Sequence, residues 1–237
     1  MSGHSKWANI KHKKAKEDAK RGQTFTKIIK EITVCAKSGG IPENNPQLRQ
    51  LIEKAKEANM PAENIIRAVK KGTGELPGVS YEAITYEGYG PGGTALIIEA
   101  LTDNKNRTVA DLRHIFGRHN GNLAETGSVN WMFEKLGVIR GNANGKTEDD
   151  FFEALLDFDI QDIEVDDNFV TITTAMASLQ EVKEAVKNLG IKVEHAELEW
   201  VAKNNLEVNE ETEEKAFALF EALEDNDDVQ NVYSNLN

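Results

Sequence analysis

Residues 136–202 decide the fold: LGVIRGNANGKTEDDFFEALLDFDIQDIEVDDNFVTITTAMASLQEVKEAVKNLGIKVEHAELEWVA. Short apolar runs, typical of strands, alternate here with segments whose apolar residues recur at helical spacing. The pattern predicts a strand from about residue 136, a helix over 148–157, strands over 161–165 and 169–174, a helix over 179–189 and a strand over 191–202. This βαββαβ order is that of a ferredoxin-like unit.

The flanking segments predict a second unit that is interrupted by the first. Before it lie predicted strands over 81–87, 94–101 and near 128–133, with a helix over about 108–117. This set lacks one helix and one strand of a similar unit, and the end of the chain offers a helix over 210–224 and a strand over 229–234. We therefore predict a discontinuous α+β domain, residues 78–134 plus 205–237, into which a ferredoxin-like domain of residues 135–204 is inserted.

Three amphipathic helices are predicted nearer the N-terminus. The first begins at Thr24, the second follows the capping residue Asn45, and the third lies between Pro61 and Gly72. Their apolar stripes are compatible with a small helical domain over residues 23–77. The predicted fold class is α+β, with an N-terminal helical bundle and two α+β domains, one inserted into the other.

Residues 1–22 contain only two sizeable apolar side chains, Trp7 and Ile10. So little apolar surface does not offset the entropy lost on ordering a chain. We predict a basic arm over residues 1–22 that is mobile until it binds a partner.

Charge is divided unevenly along the chain. Residues 1–80 carry 16 Lys and Arg against 8 Asp and Glu, a net charge of +8, whereas the remaining 157 residues have a net charge of −20. The first 30 residues alone contain nine basic and two acidic side chains. This distribution is typical of a basic arm for a polyanion, attached to an acidic body.

Composition excludes several classes of protein. The longest purely apolar stretch has five residues, far short of the roughly 20 that a membrane helix needs. Cys35 is the single cysteine, which excludes an internal disulfide and a multi-cysteine metal site. No secretory signal pattern is present at the N-terminus. The sequence therefore predicts a cytoplasmic protein with no membrane partner.

Two glycine-rich segments resemble nucleotide-binding motifs but lie in the wrong context. Residues 88–93 match the dinucleotide fingerprint, yet a predicted strand follows where that site requires a helix. The Gly-Lys-Thr at 145–147 ends a loop with the wrong glycine spacing, and acidic residues open the next helix. Thr147 and Asp150 are better explained as a capping box. No cofactor is predicted.

No catalytic or metal-binding constellation is recognisable. His114 and His119 lie five residues apart and do not share a helix face, and neither HExxH nor Gly-x-Ser-x-Gly occurs. Cys35 lies on an apolar helical stripe and is expected to be a small core residue. The chain is therefore predicted not to be an enzyme.

The basic arm is the feature of the sequence that indicates a function. Its ammonium groups are suited to phosphates, and its tryptophan ring is suited to stacking on a base. The predicted nucleic-acid-binding residues are Lys6, Trp7, Lys11, Lys13, Lys14, Lys16, Lys20, Arg21, Lys27 and Lys30. A solubilising tail and a transit peptide are the alternatives, but a transit peptide is rich in arginine and serine, and this arm is rich in lysine.

Several long motifs resemble the YebC/PmpR family. They are MSGHSKWANIKH at 1–12, KKGTG at 70–74, YEGYGPGG at 86–93, TDN at 102–104 and NRT at 106–108. The resemblance covers essentially the whole chain.

The resemblance implies three domains and a cytoplasmic, non-enzymatic regulator, usually described as a DNA-binding transcriptional regulator. Mitochondrial relatives act as translational activators of cytochrome oxidase, and bacterial relatives look like ribosome-associated factors that help synthesis through proline runs. The residues do not distinguish DNA from ribosomal RNA as the target. The acidic domains are expected to contact the ribosome or another protein, and a purely protein-binding adaptor is the competing hypothesis.

Overall fold

The computed structural model of the chain describes residues 21–236, apart from the side chain of Arg21. Three helices come first: α1 (Arg21–Cys35), α2 (Pro46–Glu57) and α3 (Ala62–Gly72). Then follow β1 (Glu82–Tyr89), β2 (Ala95–Thr102), α4 (Lys105–Arg118), β3 (Asn122–Ala124), β4 (Phe133–Asn142), α5 (Glu148–Ala154), β5 (Ile160–Asp166), β6 (Phe169–Thr174), α6 (Leu179–Asn188), β7 (Val193–Ala202), α7 (Glu210–Glu224) and β8 (Val229–Ser234). Arg21 and Gly22, assigned to the arm by the sequence, belong to the first turn of α1.

The three N-terminal helices pack into a small bundle. Helix α2 begins where the sequence predicts, because the Asn45 side chain accepts a hydrogen bond from the backbone N–H of Leu48 at 3.1 Å. Helices α1 and α3 approach closely at Gly72, where a Cβ would collide with the Thr33 carbonyl and the Ala36 side chain. The buried core of the bundle consists of Ile28, Ile32, Cys35, Ala36, Leu48, Ala55, Met60, Ile65 and Ala68.

The first sheet contains strands from both sides of the segment 133–202. Its order is β3-β1-β2-β8, and all its neighbouring strands are antiparallel. Helices α4 and α7 cover one face of this sheet. The buried core between them consists of Leu96, Ile98, Leu112, Phe116, Ala216, Leu219, Phe220, Leu223, Val229, Val232 and Leu236.

The second sheet has the order β5-β6-β4-β7 with antiparallel neighbours. Together with α5 and α6 it has the ferredoxin-like topology, and the predicted α+β fold class is confirmed. Its buried core consists of Ile139, Ala143, Phe151, Leu155, Ile163, Val170, Ile172, Leu179, Val182, Val186 and Ile191.

Both nucleotide-like motifs have the structural roles that the sequence favours. Residues 88–93 connect the antiparallel strands β1 and β2 and contain a short 3-10 turn, Pro91–Gly93. Thr147 caps α5: its hydroxyl accepts from the Asp150 N–H at 3.3 Å, and its own N–H donates to the Asp150 carboxylate at 2.7 Å.

The prediction of a strand near residues 128–133 is wrong. A 3-10 turn occupies Asn130–Met132, the next strand begins at Phe133, and the unpredicted strand β3 lies earlier, at Asn122–Ala124. The N–H groups of this segment bind the Glu87 carboxylate instead of a neighbouring strand, since Gly127, Val129 and Asn130 all donate to it. The apolar residues that suggested a strand belong instead to a turn, in which the Val129 side chain is buried.

The open face of the first sheet packs against the second sheet. Glu99 on β2 accepts hydrogen bonds from Lys135 at 2.9 Å and Trp200 at 3.1 Å, both on strands of the second sheet. Tyr233 on β8 donates to the same carboxylate at 3.2 Å. Burial and the neighbouring carboxylate of Glu99 raise the pKa of the Tyr233 hydroxyl well above its usual range. The two sheets thus share a polar contact inside their apolar interface.

A buried ion pair lies on the second sheet. Both terminal nitrogens of Arg140 donate to Glu199, at 2.6 and 2.9 Å, and the Arg140 side chain is 1% exposed. His195 lies 2.6 Å from the same carboxylate. Burial by itself raises the pKa of Glu199, but the positive charge of Arg140 and the hydrogen bond to His195 hold that pKa well below its usual range.

Glu199→Gln should destabilise the protein strongly. Removing one partner of a buried ion pair leaves the other charge poorly compensated, which typically costs about 3–5 kcal/mol of unfolding free energy. Urea denaturation followed by circular dichroism measures this change. Glu211→Gln is the matched control, because Glu211 forms an exposed pair with Lys215 and should leave stability nearly unchanged. Equal losses in both variants would contradict the assignment.

Candidate nucleic-acid interface

Seven of the ten predicted nucleic-acid-binding residues lie outside the described part of the chain. They are Lys6, Trp7, Lys11, Lys13, Lys14, Lys16 and Lys20. Arg21 begins α1, and its side chain is also outside the described structure. The structure therefore places only two of the predicted side chains, Lys27 and Lys30.

Lys27 binds the C-terminal end of α7 and Lys30 binds the turn that follows it, instead of the two facing outward together. The Lys27 ammonium donates to the carbonyl of Glu224 at 2.9 Å, and the Lys30 ammonium donates to the carbonyl of Asp227 at 2.8 Å. Gln23 on the same face of α1 donates to the carbonyl of Asp225 at 3.1 Å. Lys30 is only 6% exposed, which removes it from the predicted interface.

The physical reason for this arrangement is the end of α7. The last carbonyl groups of a helix have no partner within the helix, and the helix dipole makes that end negative. Side-chain donors at positions 23, 27 and 30 lie on one face of α1 because they are four and three residues apart. Sequence reasoning missed this role, since a basic residue that caps a distant helix looks the same as one that binds phosphate.

Asp228 joins three segments of the chain. Its carboxylate accepts from Lys30 at 2.6 Å, Thr102 at 3.1 Å, Thr108 at 2.8 Å and Arg107 at 3.0 Å. We call these five residues the Asp228 cluster. Burial raises the pKa of Asp228, but the hydrogen bonds from Lys30, Thr108 and Arg107 outweigh it and lower that pKa to about 2.

A cleft of about 540 Å³ opens beside the Asp228 cluster, between α1, α4 and the turn that joins α7 to β8. Four more aspartates line it, namely Asp103, Asp111, Asp225 and Asp227. An acidic cleft repels phosphates. Lys30 and Arg107 also line the cleft, but both pair with Asp228, so the aspartates that remain disfavour the binding of phosphate here.

Exposed cations remain on the outer surface of the bundle. Arg67, Lys70 and Lys71 lie within two turns at the C-terminal end of α3, and Arg49 and Lys56 are exposed on α2. Arg67 also pairs with Glu63 at 2.9 Å, but that contact is solvent-exposed. We define the candidate interface as residues 6–21 together with the exposed cations of α3.

Helix α4 carries three arginines, Arg107, Arg113 and Arg118, but they do not form one basic patch. Arg107 belongs to the Asp228 cluster and also binds Asp103 at 2.7 Å. Arg113 and Arg118 are exposed further along the helix. The three side chains therefore have separate environments.

The described part of the chain shows neither a metal site nor a membrane-spanning helix. Among residues 21–236, no group of three or more His, Cys, Asp or Glu side chains is placed to hold a metal ion. Within that range no helix combines the length and apolarity required to cross a bilayer. Cys35 is 8% exposed in the bundle core, as its position on an apolar stripe predicts.

Comparison with known proteins identifies the family. Residues 5–75 match a family model described as the TACO1/YebC protein N-terminal domain, and residues 81–236 match one described as the TACO1/YebC second and third domain. The chain therefore belongs to the TACO1/YebC family, which confirms the resemblance in its sequence motifs.

Its relatives carry regulatory names. A probable transcriptional regulatory protein from Persephonella marina is 56% identical over 99% of this chain and 95% of its own length. One from Thermoanaerobacter pseudethanolicus is 53% identical over 100% and 97%. A crystal structure of a conserved hypothetical protein from Aquifex aeolicus has a TM-score of 0.83 and 43% identity, covering 93% of this chain and 91% of that one. These names support a regulatory role and not that of an enzyme.

Acid should weaken the Asp228 cluster. The pKa of Asp228 is about 2, against an ordinary 3.8, so the folded state binds this proton less tightly than the unfolded state. Its stabilising contribution is present above about pH 4 and is lost as the pH falls towards about 2. Asp228→Asn should therefore lower the unfolding free energy near neutral pH by about 2 kcal/mol and flatten its dependence on pH in that window.

Urea denaturation at a series of pH values measures this effect. Asp227→Asn is the control, because the exposed neighbour of Asp228 contacts Lys30 through its backbone carbonyl, which the substitution keeps. A pH dependence in Asp228→Asn identical to that of the unsubstituted protein would contradict the role of this carboxylate.

Proposed function

We propose that this protein regulates gene expression by binding nucleic acid through the candidate interface. The observation that carries the proposal is the division of charge, with a net charge of +8 on residues 1–80 and −20 on the rest. Such a division attracts a polyanion to one end of the molecule and repels it from the other. The regulatory names of the relatives support the same class of function.

The lysines of residues 6–21 neutralise backbone phosphates, and Trp7 stacks on a base. Lysine contacts to phosphate release condensed counterions, which makes the affinity high at low salt and independent of base sequence. Lys27 and Lys30 are not part of the proposed contact set, because their ammonium groups bind carbonyls at the end of α7. Their role in the proposal is to hold α1, which begins at the end of the basic segment.

The net negative charge of the α+β domains keeps most of their surface away from the phosphates in this proposal. They are left to contact a protein, or a functional centre such as that of the ribosome. The protein would act in the cytoplasm, where both chromosomal DNA and ribosomes are accessible in bacteria.

Replacing Lys11, Lys13, Lys14 and Lys16 with alanine should weaken nucleic-acid binding strongly without loss of the fold. If about six cations meet phosphates, the logarithm of the affinity falls with the logarithm of salt concentration at a slope of about −4 to −5. The quadruple variant should lose most of that slope. Fluorescence anisotropy of labelled RNA and DNA over a salt series measures both quantities.

The matched control removes four lysines from the inserted domain, Lys146, Lys183, Lys187 and Lys192. It changes the net charge by the same amount but leaves the candidate interface intact, so its salt slope should stay near that of the unsubstituted protein. An equal loss of affinity in the two variants would show that overall charge, and not the candidate interface, causes the effect. An unchanged affinity in the first variant would refute the proposal.

DNA and ribosomal RNA are both targets that a basic segment fits. Sedimentation with ribosomes and capture of chromosomal DNA, from one lysate at two salt concentrations, distinguishes them. Ribosome association that is lost on deleting residues 1–20 would define a translation factor, as in relatives that ease synthesis through proline runs. DNA enrichment at discrete sites would define a transcriptional regulator. Partner binding that survives the deletion would instead support a protein-binding adaptor.

A further inference from the structure

Trp131 is displayed on the surface of the loop that follows β3. Its side chain is 66% exposed, and it belongs to none of the apolar clusters that form the described cores. A large apolar ring in contact with water contributes little to folding. The fold therefore offers no internal reason for an exposed tryptophan at this position.

The loop that carries Trp131 is held rigidly from within. The Glu87 side chain is buried and accepts from the N–H groups of Gly127 at 2.7 Å, Val129 at 2.6 Å and Asn130 at 3.0 Å. Burial raises the pKa of Glu87, but these three backbone donors outweigh it and lower that pKa. Gly127 has φ +93°, a conformation that favours glycine.

The ring is fixed in orientation as well as in position. Its indole N–H donates to the carbonyl of Ser128 at 3.0 Å, and the Tyr89 hydroxyl donates to the same carbonyl at 3.0 Å. The polar edge of the indole is therefore occupied inside the loop. What the ring presents to a partner is its π surface, already ordered, so little conformational entropy is lost on binding.

The surroundings of Trp131 are polar. Within residues 122–134 no other large apolar side chain is exposed, whereas Thr126, Asn130 and two carboxylates, Glu125 and Glu134, are. The Lys203 ammonium donates to the Trp131 carbonyl at 3.1 Å and lies on the exposed surface. Tryptophans that dominate protein–protein interfaces lie in well-packed, desolvated pockets. A lone, already ordered aromatic ring with an ammonium group beside it instead resembles the stacking sites that bind single-stranded nucleic acid.

We propose that Trp131 stacks on an unpaired nucleobase, with Lys203 beside it to meet the adjoining phosphate. Bases inside a duplex are already stacked on both faces, so a protruding ring selects single strands and loops. The inference rests on the proposed function and deepens it: the basic segment gives affinity for any nucleic acid, and Trp131 makes the protein prefer unpaired RNA.

Trp131→Ala should weaken the binding of a single-stranded RNA about tenfold, in line with the alanine cost of one stacked base. Binding of the same RNA annealed to its complement should not change. Trp131→Phe should retain most of the affinity, because a phenyl ring also stacks. Anisotropy with the full chain measures all three.

Two controls separate stacking from other effects. Leu156→Ala removes an even more exposed apolar side chain, 77% exposed, from the inserted domain and should leave binding unchanged. In a Trp7→Phe background, which retains Trp131 and Trp200, single-stranded RNA should quench the part of the tryptophan fluorescence that is lost in Trp7→Phe/Trp131→Phe, and duplex should not.

The possible failures are distinguishable. If Trp131→Ala binds single-stranded RNA as tightly as the unsubstituted protein, the stacking inference is overturned and the proposed function stands. If the unsubstituted protein binds neither RNA nor DNA, the proposed function fails and the inference falls with it. Equal loss on single strand and duplex would also overturn stacking, because it would indicate a general defect.

Discussion

The carboxylate of Asp228 is the contact on which the arrangement of the helical domain depends. A buried charge is tolerated only when donors surround it, and here these come from α1, from the end of β2 and from α4. Lys30 supplies the charged donor from α1 and also donates to the carbonyls of Leu101 and Asp227, whereas Lys27 and Gln23 bind the carbonyls of Glu224 and Asp225 at the end of α7. Electrostatic compensation of one carboxylate and one helix end thus sets where α1 lies on the first α+β domain.

The same constraint divides the cations of the helical domain into two groups. Those on one face of α1 are used inside the molecule, whereas Arg67, Lys70 and Lys71 on α3 remain on its surface. Five aspartates line the cleft beside α1. A polyanion approaching this molecule meets attraction at the helical domain and repulsion over most of the surface of the other two domains.

Glu87 is a second buried acid whose charge is compensated by hydrogen-bond donors. Its buried carboxylate is compensated by three backbone donors, and the loop that supplies them is fixed as a result. That fixation extends to the exposed ring of Trp131 through the Ser128 carbonyl. Both buried acids order a neighbouring segment. Asp228 joins the helical domain to the first α+β domain, and Glu87 holds the loop that exposes Trp131.

The sequence by itself determined most of the helices and strands, since hydrophobic spacing, the Asn45 cap and the Thr147–Asp150 capping box are local signals. It also determined the α+β class and the division of charge. Only the tertiary structure decided that Lys30 is buried, that Gly127 to Asn130 bind Glu87 instead of a strand, and that Trp131 is exposed. The first two depend on a partner 40 or more positions away, and a carboxylate that compensates a distant cation or N–H leaves no periodic mark along the chain.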